Sequence, residues 1–593
     1  MPPREFYLKE LHYTCRTLEK ERVRRNILTG VKITLFVGMF FLIYLFARHG
    51  EALYAWAALL ALLLFLESNV IESKLLARVA FLRARENVIE DELSYLSGDF
   101  SRLDGGEEFR DSKHAYSHDL DLFGELSVFQ SINRTVTPRG KQILANWLMS
   151  QTLSGEEIRG RQEAAREMSK YHNQGIDFRA TGHVRSLNTL SSEHAERWQH
   201  EKAGFSRQWT PYIYILPAIV LSYWVLCFLG LIWYGVPLFG SLLMLGCALI
   251  MSKEINRVHA RLDLFIRSFG SLRDLVLLAS RTTPLSRRLQ ELHETLFGKG
   301  HDAREAFSSL CRVLSAFDQR GNIIAAILLN GLYMKDLHLL LRLSRWQETH
   351  ARFLPGWINA LGEMDALFSL ANYTFNHPEY ATPIVREEFL LNTREMGHPL
   401  IPEKQRVMND FHVDGNHEIH IITGANMAGK STFLRTVGVN LVMAHCGCVV
   451  CARFFAFRPT RLFTSMRATD NLAAGVSYFH AELLRLKQLV EIARKGEDLF
   501  VILDEILKGT NSVDKLNGSL RFLGSLRALP VAGIVATHDL QLGELVTSHP
   551  RHYFNYCFEI SHDDDEIVYD YKLRPGISKN MNASILLEKM GLC

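Results

Sequence analysis

The chain has 593 residues, with 67 Lys and Arg against 64 Asp and Glu, which gives a formal net charge of +3. This balance excludes proteins that attract nucleic acid through a strong overall positive charge, although a folded surface can still assemble a local basic patch. The length is sufficient for several domains, each with its own core.

The first 95 residues contain two apolar segments, Ile33–Ala47 and Ala52–Leu66, separated by the short polar stretch Arg48–Glu51. The pair predicts a transmembrane helical hairpin in residues 1–95. Each segment is shorter than the roughly 20 residues that cross a bilayer, so the prediction depends on flanking side chains that reach the interface. A second apolar segment follows the first directly, so the N-terminus does not read as a cleavable signal. The flanks are basic: Lys20, Arg22, Arg24 and Arg25 precede the pair, and Lys74, Arg78, Arg83 and Arg85 follow it.

A second hairpin is predicted at residues 208–252, which contain no Asp, Glu, Lys or Arg. This stretch is long enough for two helices of about 20 residues each, with Tyr234–Pro237 as the turn. The alternative is a deeply buried hairpin in a soluble protein. Four membrane spans are predicted, with two as the alternative. The basic flanks of both hairpins predict a multi-pass membrane protein whose C-terminal part lies in the cytoplasm.

Residues 96–207 and 253–382 have helical patterns with a few polar positions, and they predict two parts of one helical core. A generic helical bundle is the alternative for these residues. Residues 383–593 are different, because buried β-branched runs alternate there with amphipathic helices. That alternation predicts an α/β domain with a parallel sheet.

The α/β region contains a phosphate-binding loop of the pattern G-x-x-x-x-G-K-[ST], between a β-branched run (Glu418–Thr423) and a helix. Backbone N–H groups of such a loop surround the β-phosphate of a nucleotide, and the helix N-terminus adds partial positive charge. Lys430 is expected to reach the β- and γ-phosphates, and the Ser431 hydroxyl to hold Mg²⁺. The predicted ATP-binding residues are Gly424, Ala425, Asn426, Met427, Ala428, Gly429, Lys430, Ser431 and Thr432.

Two further buried strands end in polar side chains. Leu499–Ile506 contains the pair Asp504 and Glu505, and the strand beginning at Val531 ends at His538. Asp504 is predicted to hold Mg²⁺ through water. Glu505 is predicted to orient or deprotonate the attacking water, and His538 to contact the γ-phosphate. Lys430, Glu505 and His538 are therefore the predicted catalytic residues.

Several segments together resemble the MutS ATPases, within the wider ABC class. The nucleotide-site signature is Thr469–Glu482, and Asp504–Ser512 is similar to the family's acid-Glu-Ile-x-x-Gly-Thr-x-Ser segment. Gly397–Pro399 is similar to the family's lead-in, and Tyr571–Asn580 to its closing strand and turn. These motifs cover roughly residues 390–593. A weaker likeness at Asp121–Leu148 resembles the start of the MutS helical core.

The resemblance implies a fold and an activity. The fold is an α/β P-loop ATPase domain of ABC/MutS type, joined to a mainly helical core that transmembrane hairpins interrupt. The activity is Mg²⁺-dependent ATP hydrolysis, with ATP and Mg²⁺ as ligands, at sites completed across a homodimer. Ser477 of one subunit would face the γ-phosphate held by Lys430 of the other.

The chain also departs from the family pattern. The core-like segment begins near residue 119, which leaves no room for mismatch-recognition and connector domains, and residues 208–252 stand where a DNA clamp is expected. Two functions therefore remain open. One is a MutS-like ATPase that binds mismatched or structured DNA. The other is a membrane-anchored mechanochemical ATPase without mismatch recognition.

Overall fold

A computed structural model describes residues 1–151, 154–184, 210–318, 323–387, 391–425, 427–467, 478–563 and 566–578. The N-terminal part is helical, and the C-terminal part contains two β-sheets with flanking helices. The helices of the N-terminal part are α1 (Pro3–His49), α2 (Ala52–Leu96), α3 (Val128–Ile132), α4 (Pro138–Met149), α5 (Gly155–Ser169), α6 (His172–Val184), α7 (Thr210–Phe228), α8 (Gly235–Ala279), α9 (Arg287–Phe297), α10 (Ala303–Asp318), α11 (Ile323–Tyr333), α12 (Lys335–His350) and α13 (Leu354–Asn376).

Helices α1 and α2 form a hairpin that turns at Gly50, whose φ of 71° ends α1 in the left-handed conformation. The two apolar segments occupy the half next to this turn, and their side chains point outward: Phe40 is 54% exposed and Trp56 is 69% exposed. The other half packs against the helical core, where Tyr7 and Ile89 are buried. Helices of 47 and 45 residues are roughly 70 Å long at 1.5 Å per residue. They therefore extend well beyond the apolar segments.

Helix α7 and the start of α8 form the second apolar pair. Among the described residues, α1, α2 and α7 are long and apolar enough to cross a membrane, and Gly235–Ile250 is a shorter apolar stretch. Phe228 and Ile250 in this pair are exposed. Helix α8 then continues without interruption into the helical core, where Phe269 and Leu275 are buried.

Helix α13 lies at the centre of the helical core and is buried along most of its length. It packs against α4, α5 and α9, and its side chains Leu361, Leu367 and Phe368 belong to one large apolar cluster. The helix ends at Asn376, just before the first strand of the C-terminal part. The core is therefore organised around the helix that leads into the α/β domain.

A fully buried carboxylate, Glu92 of α2, joins the first hairpin to the core. It accepts hydrogen bonds from Arg134 Nε at 2.6 Å and from Arg179 Nη1. On α13, Asn372 Nδ2 at 3.1 Å and Asn376 Nδ2 at 2.8 Å donate to the same carboxylate. Since a buried charge is tolerated only when it is paired and hydrogen-bonded, this network fixes α2 against three segments of the core.

The C-terminal part contains two sheets. The elements are β1 (Ile384–Val385), β2 (Leu391–Met396), β3 (Asn409–Val413), β4 (Ile419–Gly424), α14 (Lys430–Cys446), β5 (Phe454–Phe457), β6 (Arg461–Ser465), α15 (Tyr478–Ala493), β7 (Leu499–Asp504), α16 (Ser512–Leu526), β8 (Val531–Thr537), α17 (Leu545–Ser548), β9 (Tyr553–Asp563) and β10 (Glu566–Pro575). One sheet has strand order β1-β5-β2-β3 and the other β10-β9-β4-β8-β7-β6. In the six-stranded sheet β10 is antiparallel to β9, and the other pairs are parallel.

The central strands of the six-stranded sheet are buried on both faces, which explains their continuous apolar runs. Successive side chains of a strand point to opposite faces. Accordingly, Ile422 and Ile502 lie in the same apolar cluster as helix α14. Their neighbours Ile421 and Val501 lie in the cluster that contains residues of α15 and α16. The α/β class predicted for this region is thus a sheet covered by helices on both sides.

Gly533 of β8 provides a test of how closely the central strands approach. Its φ is 155°, and a Cβ atom there would lie 2.0 Å from the carbonyl oxygen of Val501 on β7. We expect Gly533→Ala to lower the free energy of unfolding by about 1–3 kcal/mol, as overpacking does. Gly524→Ala is the matched control, because nothing lies within 4 Å of that exposed helical position. Thermal unfolding in detergent should show a lower midpoint for Gly533→Ala alone, and equal midpoints would contradict the close approach.

The α/β domain also contacts the segment before α3. Asp119 is buried there and accepts hydrogen bonds from Thr464 Oγ1 at 2.6 Å and from the Arg467 N–H at 3.0 Å. The guanidinium of Arg485 donates to the Ala115 carbonyl at 2.7 Å. These hydrogen bonds therefore fix the C-terminal end of the edge strand β6 to the helical part.

Candidate nucleotide site

The phosphate-binding loop connects β4 to α14 at the edge where the parallel strands end. Met427 has φ 64° and Gly429 has φ 101°, so the loop turns back sharply before the helix starts at Lys430. A Cβ atom at Gly429 would lie 2.9 Å from the ring of Tyr571, so a side chain does not fit there. The N-terminus of α14 points its first N–H groups into this loop, as anion sites at helix starts do.

The remaining predicted loop residues occupy different positions. Ala428 is buried and supports the turn, whereas Met427 is 79% exposed. Asn426 and Ser477, both predicted to contact the nucleotide, lie outside the described residues. Gly424, Ala425 and Thr432 lie at the two ends of the loop as predicted.

The Lys430 ammonium group lies inside the loop. Its Nζ donates hydrogen bonds to the carbonyl oxygens of Gly424 at 2.7 Å and Ala425 at 2.8 Å, and it lies 3.3 Å from His538 Nδ1. The residue is only 6% exposed, and burial lowers the pKa of Lys430 to about 8. The cation is thus held by neutral carbonyl groups, which a phosphate oxygen would replace with a stronger charged partner.

The side chains of Ser431, at the start of α14, and Asp504, at the end of β7, are in contact. The Ser431 hydroxyl donates to Asp504 Oδ2 at 2.6 Å, although 73 positions separate the two residues. Hydroxyl and carboxylate oxygens are ligands that suit Mg²⁺, which keeps several waters and takes few protein ligands. The pair predicted as the metal site is therefore assembled, and its donor set fits that ion.

Glu505 and His538 also meet. Glu505 Oε1 lies 2.5 Å from His538 Nε2, while His538 Nδ1 lies 2.9 Å from the Gly424 carbonyl oxygen. Burial, and next the charge of Lys430, lower the pKa of His538. A neutral imidazole has one N–H, so it can donate to only one of these two oxygens. A phosphate group entering the site would compete for the same donor.

A cleft of about 750 Å³ opens from the loop, which is within the usual range for small-molecule sites. The predicted residues that line it are Lys430, Ser431, Asp504, Glu505 and His538. Further lining residues were not predicted as part of the site, although Gly397–Pro399 and Tyr571–Asn580 are segments of the family resemblance. These further residues are His398, Leu400, Pro402, Val407, Asn409 and Tyr571.

Comparison with known proteins is consistent with this geometry. Residues 420–588 match the family described as MutS domain V. Over 223 residues the chain is 30% identical to the DNA mismatch repair protein MutS of Ehrlichia ruminantium (strain Gardel), covering 37% of this chain and 27% of that protein. Over 228 residues it is 33% identical to the protein of the same name from Aquifex pyrophilus, covering 37% and 26%.

The similarity to these relatives is confined to part of each protein. The matched region spans about a quarter of their length, as it does for MutS of Methanococcoides burtonii, where 31% identity over 236 residues covers 26% of the relative. The match to domain V includes the phosphate-binding loop, the Asp504–Glu505 pair and His538. The similarity of this chain to the MutS family therefore lies in its C-terminal domain.

Proposed function

We propose that the chain is a Mg²⁺-dependent ATPase. The observation that carries this proposal is the convergence of Lys430, the Ser431–Asp504 pair and the Glu505–His538 pair on one cleft. Each group has a function that phosphoryl transfer requires: a cation for the phosphates, oxygen ligands for the metal, and a carboxylate for the attacking water. The match of residues 420–588 to MutS domain V supports the same activity.

Each residue of the site has a separate role in the proposed hydrolysis. The loop N–H groups and Lys430 bind the phosphates and orient the γ-phosphoryl group. Ser431 and Asp504 would hold Mg²⁺, which neutralises charge that develops between the β- and γ-phosphates. Glu505 orients the water and accepts its proton. When the nucleotide enters between Glu505 and His538, the histidine hydrogen-bonds the γ-phosphate instead of the carboxylate.

Lys430→Ala tests the phosphate-binding role. We expect ATP to bind about tenfold more weakly or worse, because a charge-assisted hydrogen bond to phosphate is lost. Binding of a fluorescent ATP analogue and phosphate release, both measured in detergent with Mg²⁺, report the effect. Lys487→Ala on the exposed face of α15 is the control. Unchanged binding in Lys430→Ala would place the nucleotide elsewhere.

We also propose that each site is completed by Ser477 of a second copy, as the family resemblance implies. Ser477→Arg and Lys430→Ala homodimers should both be inactive. Mixing them creates one intact composite site in each heterodimer, so about a quarter of wild-type turnover should return in a statistical two-fold assembly. A mixture with no activity would argue against sites completed by the partner copy.

The setting that we propose for this ATPase is a membrane. Helices α1, α2 and α7 meet the length and hydropathy of membrane spans, and side chains such as Trp56 and Phe228 are exposed. Exposed apolar patches of this extent mark an interaction site, and a bilayer covers such helices on all sides. The basic flanks support a cytoplasmic position for the ATPase domain. Retention in the membrane fraction after alkaline carbonate washing tests the anchoring, and release into the supernatant would contradict it.

A DNA-binding function is the second candidate, and it is supported by the relatives, which are named DNA mismatch repair proteins. The similarity lies in the nucleotide-binding part, so fold likeness alone does not transfer DNA recognition. Binding of the detergent-purified protein to duplex, mismatched and branched DNA should be measured over a range of salt concentrations. Absence of binding at low salt would leave the membrane-anchored mechanochemical ATPase as the function.

A further inference from the structure

The loop that follows the Asp504–Glu505 pair has an unusual backbone. Glu505 has φ 52° and Leu507 has φ 61°, both in the left-handed region that side chains other than glycine rarely adopt. Such a conformation persists only where surrounding groups hold it in place. The direction of the Glu505 carboxylate depends on this loop, so whatever fixes the loop also fixes the carboxylate.

One side of the loop is held by the sheet. The Glu505 N–H donates to the Ala536 carbonyl of β8 at 2.9 Å. The other side is held by Glu482, a residue of α15 that sequence reasoning did not select as a site. Its two carboxylate oxygens accept the N–H groups of Leu507 and, at 3.0 Å, of Lys508.

The Glu482 side chain is buried and held in place by its neighbours. It is only 6% exposed, and burial raises the pKa of Glu482 while its two backbone hydrogen bonds oppose the rise. The loop also packs directly on the start of α15, since a Cβ atom at Gly509 would lie 2.8 Å from Phe479 Cβ. A buried carboxylate that binds two consecutive N–H groups is a strong charge-assisted contact.

Helix capping does not explain this contact. Helix α16, which follows the loop, begins at Ser512 and is capped by Asn511, whose side chain accepts the Asp514 N–H at 2.9 Å. The N–H groups bound by Glu482 lie four and five residues before Ser512, in the turn next to Glu505. Glu482 therefore acts on the loop of the reactive carboxylate and not on the helix.

We propose that Glu482 is a positioning residue for ATP hydrolysis, which holds the Glu505 loop in its left-handed turn and so aims the Glu505 carboxylate at the attacking water. This inference rests on the proposed ATPase function. Glu482 is not among the residues that line the cleft, so its loss should affect turnover through Glu505. Nucleotide binding by Lys430 and Ser431 does not depend on it.

The test is Glu482→Gln in the full-length protein in detergent, with Mg²⁺ and ATP. Glutamine has the same shape but only one acceptor oxygen, so one of the two N–H groups loses its partner. We expect kcat to fall about tenfold or more, the size of a lost hydrogen bond to a charged group, while KM for ATP stays within about twofold. Glu491→Gln is the matched control, because Glu491 is an exposed residue of the same helix.

A second comparison separates positioning from general destabilisation. In a Glu505→Gln background, Glu482→Gln should cause no further loss of the residual turnover, because both changes disable the same step. Additive losses, or a parallel rise in KM, would overturn the proposal, as would wild-type kcat in Glu482→Gln. If Glu482→Gln does not fold, Glu482→Asp replaces it, since the shorter side chain cannot reach both N–H groups. A wild-type protein without ATP turnover would instead refute the proposed function itself.

Discussion

Replacing Glu505 by glutamine should reduce ATP turnover by about 100-fold or more, the usual contribution of a general base. ATP binding should persist, because the loop, Lys430 and the Ser431–Asp504 pair are unchanged. Glutamine can still hydrogen-bond His538 Nε2, which lies 2.5 Å from Glu505 Oε1, because its amide has both an acceptor oxygen and a donor NH₂ group. The variant removes the negative charge and the proton acceptor while it preserves the shape of the site.

Single-turnover phosphate release and nucleotide binding, measured on the same preparation, separate these effects. Glu544→Gln serves as the control, since Glu544 is an exposed residue of the same domain. Wild-type turnover in Glu505→Gln would assign activation of the water to another group. Lost binding in that variant would mean that the carboxylate helps to hold the nucleotide.

Replacing Glu92 by alanine should have the largest effect on stability. The change leaves Arg134 and Arg179 buried without their common carboxylate, and Asn372 and Asn376 lose an acceptor. Removing one partner from a buried ion pair costs about 3–5 kcal/mol. The thermal midpoint of the detergent-purified protein should therefore fall sharply.

Glu90→Ala on the same helix is the control. Glu90 is 46% exposed and lies 3.5 Å from Arg102, which is 54% exposed, and such surface pairs contribute about 0–1 kcal/mol. If both variants unfold at the wild-type temperature, α2 is not held in the core by this network.

The meeting of the predicted site residues in one cleft could be expected from the sequence, because they belong to short local patterns. The loop from Gly424 to Thr432, the adjacent Asp504 and Glu505, and the histidine after β8 each follow a strand, and parallel strands end at one edge of the sheet. Their meeting in one cleft therefore follows from strand order. The composite site remains a prediction, since Ser477 lies outside the described residues.

Contacts between distant segments were not predictable from the sequence. Glu482 was only the last residue of the signature Thr469–Glu482, and the N–H groups that it binds belong to a loop 25 and 26 residues later. Glu92 was not selected, because its partners come from the segment before α4, from α6 and from α13. The sequence likewise predicted apolar segments of 15 residues in the first hairpin but not the full helices, which continue because their polar halves pack into the core.

Helix α8 is one continuous helix of 45 residues that extends from its apolar start into the helical core. Helices α1 and α2 also continue from their apolar segments into the helical core. If the proposed ATPase rotates its core on ATP binding, that rotation would become a tilt of these helices against the lipid. Tilting changes hydrophobic mismatch, which costs energy. Bilayer thickness would then act as a mechanical load on the catalytic cycle.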